Sequence, residues 1–131
     1  MKKLLLPLLA CLTLVTFVFA GSGKAADISH DDLKAAIASG KVTLIDVNGT
    51  DTYNKGHIPG AIDFEATGDK LATLLPADKS ALVVAYCGNE NCGAYKMGVK
   101  AAEKLGYTNV QHYSKGIMGW KKAGETTEKG K

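Results

Sequence analysis

The stretch SALVVAY, residues 80–86, is an unbroken apolar run once its serine is passed, and it stops at Cys87. A strand wetted on one face alternates polar with apolar residues. An unbroken run fits a strand covered on both faces, the usual situation in a parallel sheet. The neighbouring segments carry the other half of that pattern. VTLIDV, 42–47, reads as a β-branched strand, AIDF as a short strand and NVQHY as a last strand. Between them lie helix signals. Ser29 can cap a helix whose apolar face is Leu33, Ala36 and Ile37, and GDKLATLLP reads as a helix ended by Pro76. GAYKMGVKAAEKLGY puts Ala94, Met97, Ala101 and Leu105 on one helical stripe, and GIMGWKKAG closes the set. Strands alternating with helices imply an α/β fold with a mainly parallel sheet.

The front of the chain belongs to a different class. MKKLLLPLLACLTLVTFVFA has a lysine pair, an apolar stretch from Leu4 to Ala20, and small residues at Ala20 and again over Gly23–Ala26. This reads as a secretory signal peptide over residues 1–26, with an uncleaved membrane anchor as the alternative. Cys11 falls within its apolar stretch. The expected location is therefore periplasmic or otherwise exported, with a membrane involved only through an uncleaved leader. A folded domain over 27–124 and a flexible tail over 125–131 complete the expected organisation.

All sixteen basic residues are lysine. Setting aside Lys2, Lys3 and Lys24 leaves thirteen, against thirteen acids, so the domain is near neutral. That balance gives no reason to expect nucleic acid or a membrane surface as partner. The Lys96, Lys100 and Lys104 row reads as a solvated helix face.

Two cysteines remain in the domain, Cys87 and Cys92. In an oxidising compartment a disulfide is the plain expectation for such a pair, yet so short a loop constrains the unfolded chain little. In open α/β sheets the ligand crevice lies beyond the carboxyl ends of the strands, which is where Cys87 falls. A loop running from a strand end into a helix start offers backbone N–H groups that stabilise a thiolate or hold an anion. A thiolate attacks sulfur centres well. The alternative for Cys87 is an inert buried thiol, and for Cys92 a small apolar residue packed under the next helix.

LIDVNGTDTYNKGHIPGA, followed by VVAYCGNENCGAYKMGVKAAEKLGYTNVQHYSKGIMGWKKAG, resembles the rhodanese-homology domain of the sulfurtransferases over roughly residues 28–124. The GHIPGA turn is complete, and a second cysteine five positions after the first resembles one subgroup. The resemblance implies a three-layer α/β/α sandwich around a mainly parallel sheet of about five strands. It implies that Cys87 is catalytic and takes up a sulfane sulfur as a persulfide. Gly88, Asn89, Glu90, Asn91 and Cys92 would bind the substrate through their backbone amides. The implied partners are a small sulfur donor or a protein persulfide, and a thiol acceptor or redox partner. No metal or other cofactor is implied. Cys92 enters as a possible resolving thiol, and Asp46, Asn48 and His57 as supporting residues, His57 more structural than catalytic.

The departures narrow this reading. Asn48 stands where the family usually has arginine, and the chain has no arginine at all. Glu90 adds a negative charge to the loop. Such a loop suits a dianion like thiosulfate poorly, and a phosphatase of this fold would lack its bidentate phosphoryl holder. Two other readings stay open: a thiol–disulfide redox protein using Cys87 and Cys92, and a non-catalytic binding module.

Overall fold

The apolar run becomes the middle of the sheet. The computed structural model describes residues 25–130, so residues 1–24 of the leader expected over 1–26, Cys11 among them, lie outside the described residues. In chain order the elements are β1 (Ala26–Asp27), α1 (His30–Ala38), β2 (Thr43–Asp46), α2 (Thr50–Lys55), β3 (Ile62–Asp63) and α3 (Phe64–Thr67). A 3-10 turn (Gly68–Lys70) leads to α4 (Leu71–Leu74), β4 (Val83–Tyr86), α5 (Tyr95–Lys104), β5 (Val110–His112) and α6 (Gly116–Lys122). The five strands lie in the order β1-β5-β4-β2-β3, and every pairing is parallel. All four residues of β4 are buried, as a central strand covered on both faces requires.

Alternate residues of the strands feed two cores. Leu44, Val84 and Tyr86 face a core with Leu33 of α1, Tyr53 of α2, and Ile117 and Trp120 of α6. Ile45, Val83, Ala85 and Cys87 face the other, with Phe64 of α3, Leu71 of α4, and Val99 and Ala102 of α5. The result is an α/β/α sandwich.

The buried side of α5 differs from the expected stripe. Met97 is 54% exposed, while Gly98, Val99 and Ala102 are buried. Ala94, Ala101 and Leu105, the other members of that stripe, are half-buried against the same core, so the stripe fails only at Met97 and burial centres nearer Gly98. A Cβ there would stand 3.1 Å from Ala85 Cβ and Val47 Cγ1 and 3.2 Å from Ile45 Cγ2. The bare backbone lets α5 lie closely on β2 and β4, and apolar periodicity gives no weight to a glycine.

The tail also departs from expectation. Its polar composition suggests fraying from 125 onward, but Glu128 exchanges backbone hydrogen bonds with His57, 2.9 Å in each direction. Gly130 N–H donates to the Asn54 carbonyl, and the Trp120 indole N–H donates to the Thr126 carbonyl at 2.7 Å. Backbone pairing ties the segment down where side-chain composition gives no signal. No described helix is long and apolar enough to cross a membrane.

Candidate active site

The site begins with topology. β2 and β4 are neighbours, yet the chain leaves β2 through α2 on one face and leaves β4 through α5 on the other. Their loops therefore diverge and open a crevice at the carboxyl ends. Cys87 follows β4 on one side of it, and Asn48 follows β2 on the other. A Cβ on Gly88 would lie 3.6 Å from Asn48 Oδ1, so the two loops nearly touch.

Asp46 holds the β2 side. One of its carboxylate oxygens accepts from the backbone N–H and the side-chain amide of Asn48, both at 2.8 Å. The other accepts from the Tyr86 hydroxyl at 2.7 Å. Tyr86 in turn accepts from Ile58 N–H at 3.0 Å. Burial, then the Asp46 carboxylate, push the Tyr86 phenol far above its ordinary range, so it stays a donor. Tyr86 has no place among the residues that sequence reasoning selects. Its only signal is its position at the end of an apolar strand, where a buried hydroxyl needs a partner.

His57 lies outside this crevice network. Its ring stacks on Tyr53 at 3.7 Å, its Nδ1 is hydrogen-bonded to the Tyr53 carbonyl, and its Nε2 lies 3.6 Å from Glu128. The GHIPGA turn thus serves as a seat for the tail.

The cysteine loop is held from below by α6. Ile117 N–H donates to the Cys87 carbonyl at 2.9 Å and Met118 N–H to the Gly88 carbonyl at 3.0 Å. Gly116, at φ +61°, makes that approach possible, since a Cβ there would fall 2.5 Å from the Cys87 oxygen. Sequence reasoning notes the closing glycines but not this role.

Within the loop, Asn89 sets the curl. Its side-chain oxygen accepts from Asn91 N–H at 2.9 Å, and its carbonyl accepts from Cys92 N–H at 3.1 Å. This brings Cys92 back over Cys87 at a Cα separation of 6.3 Å, within bonding range, and the two sulfurs are joined as a disulfide. Cys87 is 3% exposed, Cys92 is half-buried, and Glu90 is exposed. The Cys87 sulfur lies 3.3 Å from the Cys92 carbonyl oxygen, an acceptor for a thiol proton after reduction. The implied amide cradle over 88–92 is thus only partly free in this form. The Asn91 amide is turned to the Asn89 side chain, which competes for local backbone donors, and the Cys92 amide to the Asn89 backbone carbonyl.

Two more side chains lie near the loop. Tyr95, at the start of α5, stacks on the buried His112 ring at 4.2 Å. Met118, 60% exposed, lies beside Asn89, whose amide nitrogen is 3.6 Å from its sulfur. Beyond β2 and β3 a cavity of about 350 Å³ opens between Val47, Gly49, Phe64, Glu65 and Met97. Chemically, the arrangement presents a sulfur pair at the carboxyl end of a parallel sheet, with Asn48 facing a polar loop that contains no arginine.

Comparison with known proteins agrees with this architecture. The rhodanese-like domain of the Alr3790 protein from Anabaena superposes with a TM-score of 0.62 at 26% identity, covering 79% of this chain and 78% of that one. A thiosulfate sulfurtransferase from Pseudomonas aeruginosa superposes with a TM-score of 0.67 at 22% identity, covering 82% of this chain and 21% of that one, and so shares its fold. An HTH-type transcriptional regulator, Rv0324, of Mycobacterium tuberculosis is 33% identical over 105 residues, which are 79% of this chain. The chain spans 45% of the length of that relative. Residues 29–123 match the rhodanese-like domain family, in keeping with the parallel sheet and the strand-end cysteine, and the chain belongs to that family.

Proposed function

We propose that this protein is an exported sulfurtransferase in which Cys87 takes a sulfane sulfur as a persulfide and delivers it to a thiol or another nucleophile. The observation that carries the reading is the seat of Cys87. It ends the central strand of a rhodanese-like sheet, at the crevice where the β2 and β4 loops diverge. In this reading the disulfide is the resting form, and reduction frees Cys87 to attack a donor. Asp46 and Asn48 shape the facing loop, and Tyr86 locks Asp46 to the Ile58 turn. With Glu90 in the loop and no arginine, a polysulfide or a protein persulfide suits the site better than thiosulfate.

The test is direct. Reduced protein treated with sodium tetrasulfide should first gain about 32 Da on Cys87, one sulfur atom, and in the presence of cyanide or a small thiol should pass it on. Cys87→Ser should abolish both steps while keeping the fold. A folded Cys87→Ser protein with full transfer would remove Cys87 from the mechanism. The similarity to a transcriptional regulator favours a second reading, a binding module without turnover. That reading expects no sulfur uptake by the reduced wild-type protein.

A further inference from the structure

The transferase reading leaves Cys92 without a task, and its geometry supplies one. We propose that Cys92 is the first acceptor of the chemistry at Cys87: it resolves the persulfide, releases the carried sulfur as hydrosulfide, and makes turnover depend on a dithiol reductant. This rests on the proposed persulfide at Cys87.

Four observations converge. The two sulfurs are already bonded, so Cys92 reaches Cys87 without rearrangement of the fold. The approach is built in at both ends. Asn89 curls the loop through its side chain and its carbonyl, and α6 clamps the carbonyls of Cys87 and Gly88. Cys87 is 3% exposed, so a bulky external thiol has poor access to its inner sulfur, whereas Cys92 lies inside that barrier. Two of the loop amides that would hold a persulfide anion are directed to Asn89 instead, which weakens its retention.

The step balances as follows. The Cys92 thiolate attacks Sγ of Cys87. The Cys87–Cys92 S–S bond forms, the bond from Cys87 Sγ to the outer sulfur breaks, and that sulfur leaves with the electron pair as hydrosulfide, taking the persulfide's proton. The sulfane sulfur is reduced by two electrons, and the two cysteines are oxidised to the disulfide. A dithiol then attacks the more exposed sulfur, that of Cys92, to give a mixed disulfide. Its second thiol completes the exchange, leaving both cysteines reduced and the reductant as a disulfide. Holding attacker and target in one short loop makes the internal reaction effectively unimolecular.

The experiment uses reduced, desalted full-length protein, sodium tetrasulfide as donor, and no reductant after loading. Wild type should proceed to a species about 2 Da lighter than the reduced chain, with one hydrosulfide released per chain. Cys92→Ala, and Cys92→Ser as a closer replacement, should instead hold the adduct of about 32 Da, with a lifetime at least about tenfold longer. If wild type keeps its adduct as long as the two variants, this proposal is overturned while the transferase reading stands. If neither wild type nor variants take up sulfur, both fall together.

Discussion

The two faces of the sheet are built from different materials. The face under α1, α2 and α6 is a wall of hydrogen-bonded aromatics. His30 is bonded to the Tyr113 hydroxyl at 2.8 Å, Tyr53 donates to the Ala61 carbonyl at 2.6 Å, and Tyr86 donates to Asp46. The face under α3, α4 and α5 is mainly aliphatic and small. Ile45, Val83, Ala85, Val99 and Ala102 pack there against Gly98, the cavity opens there, and the cysteine pair sits there. Directional bonds fix positions, whereas small side chains permit close approach and leave space. The difference teaches that one face holds the frame and the other holds the sulfur pair, with Gly116 at the seam between them.

The seam is where the comparison breaks most easily. Gly116→Ala combines a left-handed backbone with a Cβ driven into Cys87 and Gly88. Its expected loss is about 3 kcal/mol, from backbone strain and overpacking together. A urea titration reads it, and sulfur uptake should fall with it. An unchanged midpoint would show that α6 can lift away from the loop.

On the aromatic face, Tyr86→Phe removes the partner of both the Asp46 carboxylate and Ile58 N–H. About 2 kcal/mol should be lost, the consequence of leaving buried polar groups unpaired. Equal stability of the two proteins would mean that the hydroxyl network orients the loop without stabilising it.

On the opposite face, Gly98→Ala meets three side chains at 3.1–3.2 Å. Overpacking there opposes a helix-propensity gain of about 1 kcal/mol, leaving a net loss of about 1 kcal/mol. A stabilised variant would reveal slack between α5 and the sheet.

Smaller still is the surface of the loop. Glu90→Lys should lower the KM for thiosulfate about two- to threefold at low ionic strength, with the gain fading as salt is added. A KM indifferent to both would place Glu90 away from the donor.

The smallest effect concerns Glu125, on the aromatic side. The Lys34 hydrogen bond, then that of His30, hold its carboxyl below the usual carboxylate range. Its contribution is present above the ordinary glutamate range and disappears as pH falls through the lowered value. Glu125→Gln should therefore lower stability slightly in the neutral region and converge with wild type in acid, which flattens the acid limb of the stability–pH profile. A wild-type profile identical to that of the variant would show the ion pairs to be without consequence.

The sequence showed the frame better than the site. The run ending at Tyr86 announced a central parallel strand because burial on both faces leaves a compositional trace. Cys87 could be placed at its end for the same reason. β1 was invisible, since two residues, Ala26 and Asp27, make no pattern; pairing with Gln111 and His112 creates it. The closeness of Cys92 to Cys87 was legible as a possibility, but its cause was not. That cause is one asparagine, Asn89, accepting from Asn91 and Cys92, and such local capture of amides depends on rotamer and backbone together. Tyr86 was missed because a tyrosine in an apolar run looks like packing until its hydroxyl finds Asp46.

The tied-back tail has an optical consequence. The single tryptophan, Trp120, is 4% exposed, and its indole N–H donates to the carbonyl of Thr126, two residues before Glu128 pairs with His57. Peeling of residues 125–130 from the GHIPGA seat removes that acceptor and opens the indole to water. Emission from this one fluorophore should shift to longer wavelength before the far-ultraviolet circular dichroism of the helices fades. The chain end is thereby a built-in gauge of local opening, read at a point on the opposite side of the sheet from the sulfur pair.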